Sequence, residues 1–260
     1  MLILRLETTA SAKDLLIAEL WERGTSGITE EEMPGGGFLL SAFFEHQFDT
    51  AGFAACNPHW ETAEDRDWVA VSQSLWSPVL VGERIYLAPE WSTDPTPPGR
   101  IRLNMHPGQA CGTGWHQATQ LCLEAMERHL RPGLSVLDVG TGSGILSVAA
   151  SLLGAAPVFA CDIDAEAVVA AGARFRAEGV PARPFAGSVR SVRDAAVDLV
   201  VANINAETLM GLAPEILRVR KPGGHLILSG FPPRHAARVR EAFGPCLETL
   251  EKENWVALVF

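Results

Sequence analysis

Apolar and polar positions along the first quarter of the chain predict a small mixed unit. Residues 2–8 (LILRLET) read as a strand, and residues 11–23 (SAKDLLIAELWER) read as a helix. In that helix Leu15, Leu16, Leu20 and Trp21 supply apolar positions at helical spacing, Ser11 is placed to cap it, and Gly24 stops it. Residues 27–32 and 37–44 predict a hairpin across Pro34, Gly35, Gly36 and Gly37. A short helix at 50–56 and a strand at 60–63 follow. Further on, 67–76 reads as a helix and 80–88 (LVGERIYLA) as a strand, before the Pro- and Thr-rich loop 92–100 (STDPTPPGR).

From Leu103 the texture changes. Helices are predicted at 115–130, 145–154, 165–178, 206–219 and 234–243. Seven strands are predicted at 134–139, 157–161, 182–186, 197–202, 224–229, 246–251 and 255–260. Alternation of strand and helix predicts an α/β unit whose mostly parallel sheet is covered on both faces. The short turn near Glu253 and Asn254 predicts an antiparallel end. The preceding β-α-β-β-α-β order is a ferredoxin-like pattern. The domain reading is therefore a ferredoxin-like α+β domain at 1–63, a connector at 64–100 and the α/β domain at 101–260.

Composition narrows the function classes. The 260 residues are 47% hydrophobic and 20% charged, the balance of a folded chain with a substantial core. The formal charge of −10 argues against binding phosphate backbones and suits a basic partner; solubility alone is the other reading. Five scattered cysteines form no CxxC pair, which points to a reducing compartment and away from a metal site. The N-terminus lacks the marks of a signal peptide. The longest apolar stretch, 144–160, contains Ser147, Ser151, Gly154 and Pro157 and is too short for a comfortable membrane span. A cytoplasmic protein that needs no membrane is expected.

The candidate chemistry sits at three strand ends. LDVGTGSG, 137–144, follows a strand and opens a helix, so Gly140, Thr141, Gly142 and Gly144 form a tight turn whose helix N-terminus can face a ligand with free N–H groups. Ile145 stands where a dinucleotide fingerprint requires glycine, and no Gly-Lys-Ser/Thr run marks a triphosphate loop. A turn without a ligand is the alternative. Asp162 falls just past the next strand, 22 positions after Gly140, where a carboxylate can accept both hydroxyls of a ribose; Asp164 is placed to cap the following helix. Asn203 ends a further strand and faces the same crevice, with helix capping by Asn203 or Asn205 as the competing role.

Together these features resemble the class I, seven-stranded methyltransferases that use S-adenosylmethionine. Residues 107–124, PGQACGTGWHQATQLCLE, resemble the PGxAFGTGxHxTTxLCLE segment of the PrmA family, which methylates the eleventh large-subunit ribosomal protein; ANINAETL, 202–209, is similar to its ANILAxxL. The resemblance implies that the glycine turn with Asp138 holds the cofactor's methionine end, that Asp162 holds its ribose, and that Gly112, Thr113 and Thr119 belong to a segment folding over it. It places Asn203 beside the transferred methyl group as the catalytic residue, and implies a basic ribosomal protein as partner without a direct need for nucleic acid. The chain departs from the family pattern at Cys111, Ala118 and Asn205, around the cofactor and the acceptor entrance. A different protein or small-molecule acceptor, and a cofactor-binding module without catalysis, are the alternatives.

Overall fold

The computed structural model describes residues 2–33, 36–62, 76–106 and 115–260. The chain divides into two compact units, 1–75 and 76–260.

In the first unit, β1 (Leu2–Thr8), α1 (Lys13–Glu22), β2 (Gly27–Glu32), β3 (Phe38–Phe44), a 3₁₀ turn (Ala51–Cys56) and β4 (His59–Thr62) follow one another. The sheet order is β2-β3-β1-β4 with every pair antiparallel. Leu4 and Leu6 from β1, Leu40 and Ala42 from β3, Leu16 and Leu20 from α1, and Phe53 make its core. Two local expectations for α1 are corrected. Its buried line is Leu16 and Leu20, four residues apart, whereas Leu15 and Trp21 are 78% and 54% exposed. Ser11 does not cap it: the carbonyl of Thr9 takes the N–H groups of Ala12 (3.1 Å) and Lys13 (3.0 Å), and the Ser11 hydroxyl is bonded to that of Thr9.

The second unit begins with a three-stranded sheet of β5 (Val79–Val81), β6 (Ile85–Pro89) and β7 (Ile101–Met105), in that order. The single strand expected over 80–88 is a hairpin broken at Gly82, where φ is +54°. The cause is remote in sequence. The carboxylate of Glu127, on α2 (Gln117–His129), accepts the N–H groups of Glu83 (2.9 Å) and Arg84 (3.1 Å) and holds the turn. Strand β7, parallel to β6, was not anticipated. The helix expected at 67–76 lies, except for Trp76, outside the described residues.

The large sheet comprises β8 (Val136–Val139), β9 (Val158–Asp162), β10 (Arg183–Ala186), β11 (Val197–Asn203), β12 (Arg220–Phe231), β13 (Glu248–Lys252) and β14 (Trp255–Val259), in the order β10-β9-β8-β11-β12-β14-β13. Only β14 runs against its neighbours. Helices cover both faces, and the side-chain alternation of β11 shows it. Leu199 and Val201 pack with Leu123 and Met126 of α2, and with α3 (Ile145–Leu152) and α4 (Ala165–Ala177). Val200 and Ala202 pack on the other face with α5 (Ala206–Gly211), α6 (Ala213–Val219) and α7 (Ala236–Phe243). The one helix expected at 206–219 is two, because Pro214 has no N–H to donate inside a continuous helix and starts a new one instead. Among the described residues no helix is long and apolar enough to cross a membrane.

Candidate functional site

The C-terminal ends of β8, β9 and β11 open on one cavity of about 750 Å³, a size that suits a small organic ligand. Parallel strands in an open α/β sheet deliver their following loops to the same edge. Gly140, Thr141, Gly142, Asp162, Asn203 and Thr119 all line this cavity. Gly112 and Thr113 lie outside the described residues.

The glycine turn is shaped by its backbone. Gly140, Gly142 and Gly144 have φ of +73°, +49° and +78°, a region costly for side chains with a Cβ. A Cβ at 140 would stand 2.5 Å from Ile204 Cγ2, and Ile204 itself lines the cavity. Gly144 is turned away: a Cβ there would meet Phe175 Cε1 of α4 at 2.7 Å. The N–H groups of the turn itself are bonded within the fold. The N–H groups of Gly140 and Thr141 both donate to the Cys161 carbonyl (2.9 and 3.0 Å), that of Gly142 donates to Asp162 Oδ2 (3.0 Å), and that of Gly144 donates to the Thr141 carbonyl (2.8 Å). These four donors are spent on the end of β9 and within the turn, ahead of the helix start at Ile145 and Leu146, which also line the cavity.

Asp138 stands behind the turn, 1% exposed, and is not among the lining residues. Its Oδ2 accepts the hydroxyls of Thr141 and Ser147, each at 2.7 Å. Burial pushes this carboxyl up to about 6, with the hydroxyl bonds opposing and the nearby Asp162 adding to the rise. Its Oδ1 is buried with no hydrogen-bond partner among the described residues.

Among the described residues, Asp162 has backbone partners on both carboxylate oxygens: Gly142 N–H on Oδ2, and Asp164 N–H on Oδ1 at 3.1 Å. Each oxygen keeps a lone pair for a ligand hydroxyl. Asp164 caps α4 through Glu166 N–H (2.9 Å), as its position predicted. Asn205 likewise caps α5 through Thr208 N–H (2.8 Å), which leaves Asn203 free of that duty. The Asn203 side chain instead donates from Nδ2 to Thr119 Oγ1 of α2 at 3.1 Å. Gly230 lets β12 come close here, since a Cβ would lie 2.6 Å from the Ile204 carbonyl oxygen.

His116 also lines the cavity and caps α2, its Nδ1 accepting Ala118 N–H at 3.3 Å. That bond needs an unprotonated Nδ1, and burial holds the imidazole below its ordinary value. Its ring meets Trp255 edge-on with centroids 4.3 Å apart. Trp255, Ile163, Gly187 and Ser188 are lining residues that sequence reasoning passed over. Gly187 and Ser188 follow a parallel strand, so the strand-end rule that found Asp162 could have found them. Trp255 begins the reversed strand, and no local signal marks it. Among the described residues, no group of three or more His, Cys, Asp or Glu could hold a metal ion.

Comparison with known proteins adds an independent line. The family model described as ribosomal protein L11 methyltransferase (PrmA) matches residues 39–260. A ribosomal protein L11 methyltransferase of Cupriavidus taiwanensis is 42% identical over 198 residues, covering 75% of this chain and 66% of that protein. One from Polynucleobacter necessarius subsp. necessarius is 40% identical over 256 residues, covering 89% of this chain and 78% of that protein. The match thus spans just under two thirds of the Cupriavidus relative. The crystal structure of a ribosomal protein L11 methylase from Lactobacillus delbrueckii subsp. bulgaricus superimposes with a TM-score of 0.65 at 31% identity, covering 71% of this chain and 97% of that one.

Proposed function

The chain belongs to the ribosomal protein L11 methyltransferase family, and from that premise we propose that it methylates amino groups of that ribosomal protein, using S-adenosyl-L-methionine. The single observation that carries this reading is the convergence of the turn at Gly140–Gly142, Asp162 and Asn203 on one cavity of about 750 Å³. The cavity fits the cofactor in size, in the hydroxyl-accepting carboxylate at its wall, and in a turn whose surface a Cβ at 140 would obstruct.

When bound, S-adenosyl-L-methionine supplies a methyl group made electrophilic by its sulfonium sulfur. Asp162 receives the ribose hydroxyls. Thr141, held from behind by Asp138, and the neighbouring glycines form the wall for the methionine part. Asn203 has its Nδ2 committed to Thr119, so Oδ1 is the end that accepts a hydrogen bond from an incoming amine. An amine must be neutral to attack, and a largely apolar cavity disfavours its ammonium form. The protein's main contribution is alignment, which can supply up to about 7–11 kcal/mol.

Residues 1–63 serve in this reading as a ferredoxin-like domain that recruits the substrate protein, joined by a connector at 64–100 to the catalytic domain at 101–260. The support is the antiparallel order β2-β3-β1-β4 with helical crossovers after β1 and β3, the split β-α-β arrangement. The charge of −10 suits a basic partner, with no direct role for nucleic acid, in the cytoplasm.

The test is incubation with radiolabelled S-adenosyl-L-methionine and two fractions of an unmethylated extract, one ribosomal and one depleted of ribosomes. Label confined to ribosomal protein L11 is the expected result. Label on another acceptor reassigns the substrate, and no label in either fraction removes the proposed activity.

A further inference from the structure

Outside the cavity wall, the most heavily buried cation bonded to the cofactor turn is Arg174 on α4. Its side chain is 5% exposed, and an arginine is rarely buried so far unless its donors are used. Here they are used on three different segments. Nε donates to Glu178 Oε1 (3.1 Å), just past α4. Nη2 donates to the carbonyl of Asn104 in β7. Nη1 reaches the carbonyl of Ser143 in the glycine turn at 3.5 Å. Glu178 continues the chain of contacts: its Oε1 is 3.1 Å from His106 Nε2, and His106 Nδ1 is 2.6 Å from Glu90 Oε2 at the end of β6.

We infer that Arg174 is a positioning residue for cofactor binding, one that fixes the glycine turn relative to β7 and α4. The inference rests on the cofactor reading above. At the outer edge of the turn two residues of α4 pack against Ser143 and Gly144. Phe175 closes against Gly144 and Arg174 holds the carbonyl one residue earlier. The rigid fork of the guanidinium spans the turn and β7 at once, which an ammonium on a flexible stem cannot do. Without it, the turn loses the tie beside Gly142, whose N–H orients Asp162. Asn203 and Thr119 stand on β11 and α2 and do not touch this network, so the inference separates cofactor affinity from turnover.

The experiment compares the unaltered chain with Arg174→Met, Arg174→Lys and Val239→Ala. The last truncates a fully buried residue of α7 on the opposite sheet face and controls for lost stability. Binding of S-adenosyl-L-methionine is measured by calorimetry, and kcat is measured at saturating cofactor. Arg174→Met is expected to raise the cofactor Kd by about 3–30-fold, the range for mutations acting through a packed network, with kcat changed little. Arg174→Lys should recover part of the loss, and Val239→Ala should bind as the unaltered chain does. Unchanged affinity in Arg174→Met overturns the inference, as does an equal loss in Val239→Ala or a fall confined to kcat. If the unaltered chain itself fails to bind, the cofactor reading falls and takes this inference with it. Binding retained by both the unaltered chain and Arg174→Met sinks the inference alone.

Discussion

Asn203 is tied to Thr119 by a 3.1 Å bond from its amide nitrogen to the threonine hydroxyl, across 84 positions of sequence. Thr119 is 1% exposed and sits in the first turn of α2, so the tie fixes the orientation of the amide, whose Oδ1 is its acceptor end. Thr119→Val keeps the shape and removes the acceptor. It should lower kcat by about 2–13-fold, the worth of one ordinary hydrogen bond. Asn203→Ala should abolish most turnover in a protein that still folds. Steady-state kinetics at saturating cofactor checks both, and undiminished kcat in Asn203→Ala would remove it from the catalytic role.

Asp162→Ala should weaken cofactor binding by about 1.5–3 kcal/mol, since bonds to a charged acceptor are lost. The backbone N–H of Gly142 also loses its partner, which adds to the effect. Calorimetric titration with S-adenosyl-L-methionine reads it directly.

Gly140→Ala places a Cβ 2.5 Å from Ile204 Cγ2 at a φ of +73°. Backbone strain of this kind costs on the order of 1–3 kcal/mol. The variant should melt several degrees lower and bind the cofactor more weakly, because Ile204, which lines the cavity, must shift. An unshifted melting curve would show that the turn tolerates a side chain.

The buried carboxyl of Asp138 sets a pH dependence with an unusual sign. Burial raises it from 3.8 to about 6 in the folded chain, so between those values the folded state holds a proton that the unfolded state has released. Stability from this group is complete below about pH 3.8, falls as pH rises to about 6, and is level above. Asp198 works the other way. Burial opposes its ionisation, but bonds from Ser135 and Lys221 outweigh that and hold it down to about 2, so its contribution is present above pH 3.8 and lost as pH falls. Denaturant melts from pH 4 to 7 should show Asp138→Asn removing a loss of stability with rising pH. Parallel curves for the two proteins would contradict the raised value.

The parts of the site that could be read from the chain share one property: each is announced within a few residues of itself. Gly140–Gly144 follows an apolar strand and precedes a helix, and Asp162 and Asn203 end strands of the same kind. Their neighbours in the cavity were hidden because sheet order brings them in. Ser188 depends on β10 lying beside β9, and Trp255 on β14 running backwards between β12 and β13. The break of 80–88 into two strands depends on Glu127, more than forty positions away. In α1 the spacing of Leu15 and Trp21 was helical, but which face would be covered was decided by the sheet it packs on.

The reversal of β14 has a consequence for how the chain comes to be folded. The cavity wall is assembled from residues between His116 and Trp255, so it is a non-local object, built from pairings distant in sequence. A ribosome releases the chain from the N-terminal side, and domains fold as units. The glycine turn, Asp162 and Trp255 belong to one unit, 76–260, so the wall beside His116 closes only once Trp255 has emerged. Ligand binding can stabilise the chain fully only after synthesis has passed position 255.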